Sequence, residues 1–199
     1  MKWETIIVAT KNKGKVKEFQ QLLSSFANKI VALDEFAHIP DVIEDGLTFA
    51  QNARKKAEEI CAFTHIPTIA DDSGLEVDAL GGRPGVYSAR YAGEKVSDQD
   101  NNQKLLLELK GIPFEQRTAR FVSHIALAIP DEPTIGFEDI VEGYILVEPK
   151  GEKGFGYDPL FYLPTYQKTM AEIDIHLKNQ ISHRGKAMKK LIQWLEEKK

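Results

Sequence analysis

The chain of 199 residues has a single cysteine, Cys61, so no disulfide can form within it and a core stapled by sulfur is excluded. A reducing, cytoplasmic setting is the expectation that follows. No apolar run approaches the eighteen or so residues a membrane span requires. The N-terminus, Met1-Lys2-Trp3-Glu4-Thr5, lacks the long apolar core of a secretory signal. A basic excess is missing as well: 26 Lys and Arg face 30 Asp and Glu, a net charge of −4, which argues against a general nucleic-acid binder. A small anionic ligand stays open, because it needs only a local cluster of cations. Neither the Gly-x4-Gly-Lys-Ser/Thr pattern of a Walker loop nor a Cys/His cluster of zinc-ligand spacing occurs. No repeat, low-complexity segment or linker divides the chain. Residues 1–199 therefore read as a single domain, with room for two lobes and a sizeable core. Hydrophobic and charged contents of 42% and 28% are those of ordinary soluble globular proteins.

The most informative stretch is Ile69-Ala70-Asp71-Asp72-Ser73-Gly74-Leu75. The apolar run from Pro67 to Ala70 reads as the end of a buried strand, halted by two carboxylates, a hydroxyl and a glycine. Desolvating a carboxylate is costly unless it is paired or metal-bound. Two in a row at a strand end therefore suggest a place where a divalent cation or a proton is handled, with Gly74 turning the backbone sharply. An ordinary Asx turn is the simpler alternative.

Around it, β-branched and helical periodicities alternate. Thr5 to Ala9 reads as a strand, followed by the basic, glycine-containing loop Thr10-Lys11-Asn12-Lys13-Gly14-Lys15, then a helix marked by Val16, Phe19, Leu22, Leu23 and Phe26. Strand, basic loop, helix is an arrangement that aims backbone N–H groups at an anion. Ile30 to Leu33 suggests a second strand. Phe49, Ala50, Ala53, Ala57, Ile60 and Cys61 mark an amphipathic helix whose charged face, Arg54 to Lys56 with Glu58 and Glu59, reads as solvated. A helix around Leu105–Leu109 precedes a predicted antiparallel hairpin, Ala119–Ile129 with Ile135–Val147. His124 falls on its polar side, as a structural residue. Gly154-Phe155-Gly156-Tyr157-Asp158-Pro159 is either a plain glycine-rich loop or a platform that stacks a flat ligand on Phe155. Thr169 and Glu172 match a capping box, and Ser182-His183-Arg184-Gly185 precedes a C-terminal helix. The fold class expected is α/β, a mixed central sheet with flanking helices, parallel in its first part.

Six of these stretches together resemble the inosine triphosphate pyrophosphatase family, the XTP/dITP diphosphatases. They are Ala9-Thr10-x-Asn12-x-Gly14-Lys15, Gly46-Leu47-Thr48-Phe49-x2-Asn52-Ala53, Ala70 to Leu75, Gly81-Gly82-x-Pro84-Gly85-Val86-Tyr87-Ser88-Ala89-Arg90, Gly154 to Pro159 and Ile181 to Gly185. The resemblance covers nearly the whole chain. It implies hydrolysis of non-canonical purine nucleoside triphosphates (XTP, ITP, dITP) to the monophosphate and pyrophosphate, a homodimer, and two lobes around an active-site cleft. It implies that Thr10, Lys11, Asn12, Lys13, Gly14 and Lys15 bind the triphosphate, that Asp72 is the proton acceptor and a Mg²⁺ ligand, and that Ser73 contacts substrate. Phe155, Gly156, Tyr157, Asp158, Lys178, His183 and Arg184 are implied to form the base pocket.

Two positions depart from the pattern. Lys11 stands where the family commonly has glycine. Ile43 stands three positions before Gly46, where many members carry an acidic second metal ligand; a one-residue shift assigns that role to Glu44. Asp71 is a further candidate ligand. Oxygen donors of this kind suit Mg²⁺. Asp72 can deprotonate the attacking water, and Lys13 and Lys15 offset charge on the departing pyrophosphate. Lys178 and Arg184 are candidate donors to a 6-oxo group. A phosphatase with an Asp nucleophile and a non-catalytic nucleotide sensor are the rival readings.

Overall fold

A computed structural model describes residues 2–10, 13–36, 39 and 41–198, with the backbone alone at 13, 14, 17 and 18. Among the described residues seven strands form one sheet in the order β2-β1-β3-β4-β5-β6-β7. They are β1 (Trp3–Val8), β2 (Ala27–Ala32), β3 (Thr68–Val77), β4 (Thr118–Ala128), β5 (Ile135–Ile145), β6 (Phe161–Leu163) and β7 (Lys168–Thr169). The helices are α1 (Lys13–Leu23), α2 (Phe49–Thr64), α3 (Asp98–Glu108), α4 (Ile175–Ile181) and α5 (His183–Glu197). β1 pairs in parallel with both β2 and β3. β4 and β5 are neighbours joined by residues 129–134, too short a connection for a crossover, so they run antiparallel as expected. The mixed α/β sheet read from the sequence is thus present.

Two compact units divide the chain: Met1–Asp72 with Ser123–Glu138 and Ala187–Lys199, and Ser73–Val122 with Asp139–Lys186. The chain changes unit inside β3, β4, β5 and α5 rather than at linkers.

In the first unit, strand alternation sorts the core. Ile6, Val8 and Ile69 pack with Phe19 and Leu23 of α1 and with Ala187, Met188 and Leu191 of α5. Ile7, Ala9 and Ala70 point the other way, onto Ala53, Ala57, Ile60 and Cys61 of α2. Successive side chains of a strand face opposite sides, so this parity carries on past Ala70. In the second unit, Leu75, Val77, Leu105, Leu109, Phe121, Phe161 and Met170 form a separate core.

Two sequence expectations are corrected. β3 does not end at Asp71; it runs on through Asp72, Ser73 and Gly74 to Val77. The burial of Leu75 and Val77 and the partners found for both carboxylates make the extension affordable. Gly74 therefore does not turn the chain. In addition, Lys13 to Lys15 form the first turn of α1 rather than a loop before it.

Candidate active site

Within the first unit, β3 presents Asp71 and Asp72 to opposite faces. Asp71 follows the parity of Ile69, toward α1. Its Oδ2 pairs with Lys15 Nζ and its Oδ1 accepts from Ser123 Oγ at 3.1 Å. This carboxylate is buried, and both of its oxygens are engaged. Asp72 follows Ala70, toward α2, where its Oδ2 accepts from Asn52 Nδ2 at 3.0 Å. Burial pushes the Asp72 carboxyl above the ordinary aspartate range. The Asn52 hydrogen bond and the Lys56 charge pull it back, while Glu44 and Asp71 push it further up. A carboxylate poised in this way is suited to accept a proton.

Residues 44–47 lie along α2, and each is tied to it. Lys56 Nζ meets Glu44 Oε1 at 2.5 Å, and Lys55 Nζ meets Asp45 Oδ1 at 2.6 Å. Gly46 N donates to Asn52 Oδ1 and Leu47 N to Gln51 Oε1, each at 2.7 Å. Thr48 caps the helix by accepting from Gln51 N, satisfying one of the orphan donors of the first turn. Gly46 serves close approach here: a Cβ on it would lie 2.6 Å from Asn52 Oδ1 and 2.8 Å from Gln51 Cβ. Glu44, the shifted candidate, is thus held beside Asp72, whereas Ile43 is 72% exposed.

The solvated reading of the charged face of α2 fails at Lys56. Its side chain is only 13% exposed and also donates to Asp71 O at 3.4 Å. The sequence contained a signal for this. Asn52 and Lys56 occupy positions of the buried stripe, between Phe49, Ala53, Ala57 and Ile60, and polar residues inside an apolar stripe need partners.

Of the stretch expected to meet the triphosphate, Thr10 follows β1 and its N–H donates to Val8 O at 2.8 Å. Lys13, Gly14 and Lys15 lie at the N-terminus of α1, the end at which a helix dipole favours anions. Lys11 and Asn12 lie outside the described residues, as do the side chains at 13 and 14.

Within the second unit, Phe155 is 54% exposed. Lys178 Nζ lies 4.9 Å and Arg184 Cζ 5.8 Å from its ring centroid, both within cation–π range. Asp158 Oδ2 accepts from Phe155 N at 2.9 Å and from Lys178 Nζ at 2.5 Å, fixing ring and ammonium together. Gly154, at φ +81°, has no room for a Cβ beside that carboxylate. Arg184 Nη2 donates to Ser73 Oγ at 3.0 Å.

Gly156 is clamped by α3, its N–H on Asp98 Oδ2 at 2.6 Å and its C=O on Asn102 Nδ2 at 2.8 Å. Nothing in the sequence reading singled out either α3 residue. Tyr157 is buried, with its OH on Ser88 O at 2.8 Å; it shapes the loop rather than offering a surface. His183 stacks on Phe121 at 4.9 Å. Phe155, Lys178 and Arg184 thus come together and Asp158 ties two of them, whereas Tyr157 and His183 are anchored on Ser88 and Phe121.

Among the described residues no group of three or more His, Cys, Asp or Glu side chains converges to hold a metal ion, and no helix is long and apolar enough to cross a membrane.

Comparison with known proteins places these features in context. The model of the Ham1 family matches residues 6–194. The dITP/XTP pyrophosphatase of Geobacillus kaustophilus is 56% identical over 192 residues, 96% of this chain and 94% of that protein. The dITP/XTP pyrophosphatase of Halalkalibacterium halodurans is 54% identical, covering 96% and 98%. Among solved structures, the Staphylococcus aureus Ham1 protein superposes with a TM-score of 0.92 at 43% identity, covering 98% of this chain and all of that one.

Proposed function

The chain belongs to the Ham1 family, and from that premise we propose that it hydrolyses dITP, XTP and ITP to the corresponding monophosphate and pyrophosphate. The observation that carries this reading is the pair Asp72 and Glu44, held together beside α2 by Asn52 and Lys56, in a chain 56% identical to a dITP/XTP pyrophosphatase. Water adds to the α-phosphorus, the bond to the bridging oxygen breaks, and pyrophosphate leaves.

The donor set tests whether a divalent cation fits. Asp72 and Glu44 offer hard carboxylate oxygens, and Mg²⁺ is commonly held by one or two carboxylates with substrate phosphates completing its shell. The residues fit that role; both oxygens of Asp71 are committed to Lys15 and Ser123, so Asp71 supports the site rather than filling it. When bound, the cation supplies charge neutralisation and a more acidic water. Asp72 takes the proton from the attacking water, helped by the burial that raises its basicity. Thr10 to Lys15, at the start of α1, bind the triphosphate, and Lys13 and Lys15 offset charge on the departing pyrophosphate. Phe155 stacks on the base, Lys178 and Arg184 donate to its 6-oxo group, Ser73 orients Arg184, and Gly156, Tyr157, Asp158 and His183 shape the loop around them.

We further propose that residues 1–199 act as one pyrophosphatase domain, as a cytoplasmic homodimer. Incubation with dITP and Mg²⁺ tests the reaction: pyrophosphate is the expected product, and orthophosphate or no release overturns it. Sedimentation at micromolar concentration tests the dimer.

A further inference from the structure

Asn52 is 1% exposed, sits in the apolar stripe of α2, and is not a member of the substrate or metal set above. A buried amide must satisfy both ends. Gly46 N–H, an obligatory donor, meets one end at 2.7 Å, so that atom is the acceptor Oδ1. The other end is therefore Nδ2, and it lies 3.0 Å from Asp72 Oδ2. The amide cannot be flipped without setting donor against donor at Gly46 and acceptor against acceptor at Asp72.

From this we infer that Asn52 is a positioning residue for the reaction proposed above, one side chain that orients the Asp72 carboxylate and simultaneously fixes the backbone two residues from Glu44. The inference rests on that proposed reaction. Gly46 supplies an independent observation. It has no positive φ, so its lack of a side chain answers to proximity, and the atom a Cβ would meet at 2.6 Å is Asn52 Oδ1 itself. Gly46 thus makes its close approach to α2 at this amide, between the ties that Lys56, Lys55 and Gln51 give to its neighbours. Residues that orient metal-ligating carboxylates typically change metal affinity or activity by about 10–100-fold when removed.

The test compares Asn52→Ala, Asn52→Asp and Gly46→Ala with the unaltered protein, using two readouts. One is hydrogen exchange at the Gly46 amide in protein free of metal and nucleotide. The other is kcat and KM for dITP across a Mg²⁺ titration. Asn52→Ala is expected to lower kcat by about 10–100-fold, raise the Mg²⁺ concentration for half-maximal rate, leave KM for dITP within about threefold, and speed Gly46 exchange. Asn52→Asp keeps an acceptor for Gly46 N–H but turns a carboxylate on Asp72. Slow Gly46 exchange with kcat still lost is expected, which separates the two hydrogen bonds and does not depend on the alanine variant folding. Gly46→Ala should reproduce the rise in Mg²⁺ requirement.

If Asn52→Asp keeps wild-type kcat, or if Asn52→Ala changes neither Gly46 exchange nor the Mg²⁺ requirement, Asn52 is only a core residue and the inference fails. Failure of the proposed reaction looks different: the unaltered protein would release no pyrophosphate from dITP.

Discussion

The two units carry functional side chains of opposite character. In the first, Asp71 is matched by Lys15, Glu44 by Lys56 and Asp72 by Asn52, so the chemistry is one of charges held in check. In the second, the accessible surface is the ring of Phe155 with two cations against it, and the acid Asp158 serves to hold Lys178. In the reaction proposed above, the buried charges act on phosphate and water and so govern rate, whereas the stacking face with its directed donors governs affinity and base choice. Substitutions in the first unit should therefore read out in kcat, and those in the second in KM and in selectivity.

The largest effect expected is that of Asp72→Asn. It preserves shape and removes the proton-accepting charge, and kcat for dITP should fall about 10²-fold or more with KM little changed. A rise in KM at constant kcat would erase the division of labour between the units.

Next comes Lys178→Met. A pocket built around donors to a 6-oxo group rejects adenine, which presents an amine there, far more strongly than shape alone allows. The ITP-over-ATP ratio of kcat/KM should narrow by roughly 10²-fold, with the ITP-over-GTP ratio hardly moved because guanine shares the 6-oxo group. The same change strands Asp158, 4% exposed, and removing one partner of such a pair costs about 3–5 kcal/mol. Tm should drop in the single variant and recover in Lys178→Met/Asp158→Asn, while the selectivity stays lost. A selectivity that returned with stability would make Lys178 a purely structural partner of Asp158.

Phe155→Ala should raise KM by roughly tenfold for dITP, ITP and ATP alike, since stacking on an aromatic face contributes about 1–3 kcal/mol without regard to base identity. A base-dependent rise would merge stacking with readout.

The smallest effect concerns pH. The Asp72 carboxyl is raised above its ordinary value, chiefly by burial, so the acid limb of kcat/KM should fall at higher pH than an exposed aspartate would dictate. Added Mg²⁺ should move that limb down, since cation and proton compete. Stability carries the opposite sign. The raised value favours folding below the unfolded aspartate pKa, and that contribution is lost as pH rises through the folded one. Asp72→Asn should therefore raise Tm of the metal-free protein at neutral pH, with the gain vanishing in acid. A Tm difference independent of pH would assign Asp72 some other environment.

Much of this was legible in residue order. The 3.6-residue spacing of Phe49, Ala53, Ala57 and Ile60 placed α2, the alternation from Phe121 to Ile129 placed β4, and Thr169 with Glu172 does form the capping box expected, at the start of a single 3-10 turn. What misled was Asp71-Asp72-Ser73-Gly74, read as a strand end because carboxylates resist burial. Lys15 and Ser123, 56 and 52 residues away from Asp71 in sequence, make that burial tolerable, and no local pattern announces partners at such distance. Lys56 reads as a solvated cation for the same reason: Glu44 and the Asp71 carbonyl are invisible from its neighbours in the chain.

The alternation of strand and helix, the family motifs and the residue types able to handle phosphate and a flat base are written in residue order, because periodicity and side-chain chemistry are local properties. Which side chains cooperate is set by packing. In an extended strand consecutive residues face opposite sides, so two adjacent aspartates that look like one site became two: Asp71 turned to α1 and paired with Lys15, Asp72 turned to α2 and bonded to Asn52. That division depends on which helix covers which face of β3, a fact set by packing and written in no single stretch of the chain.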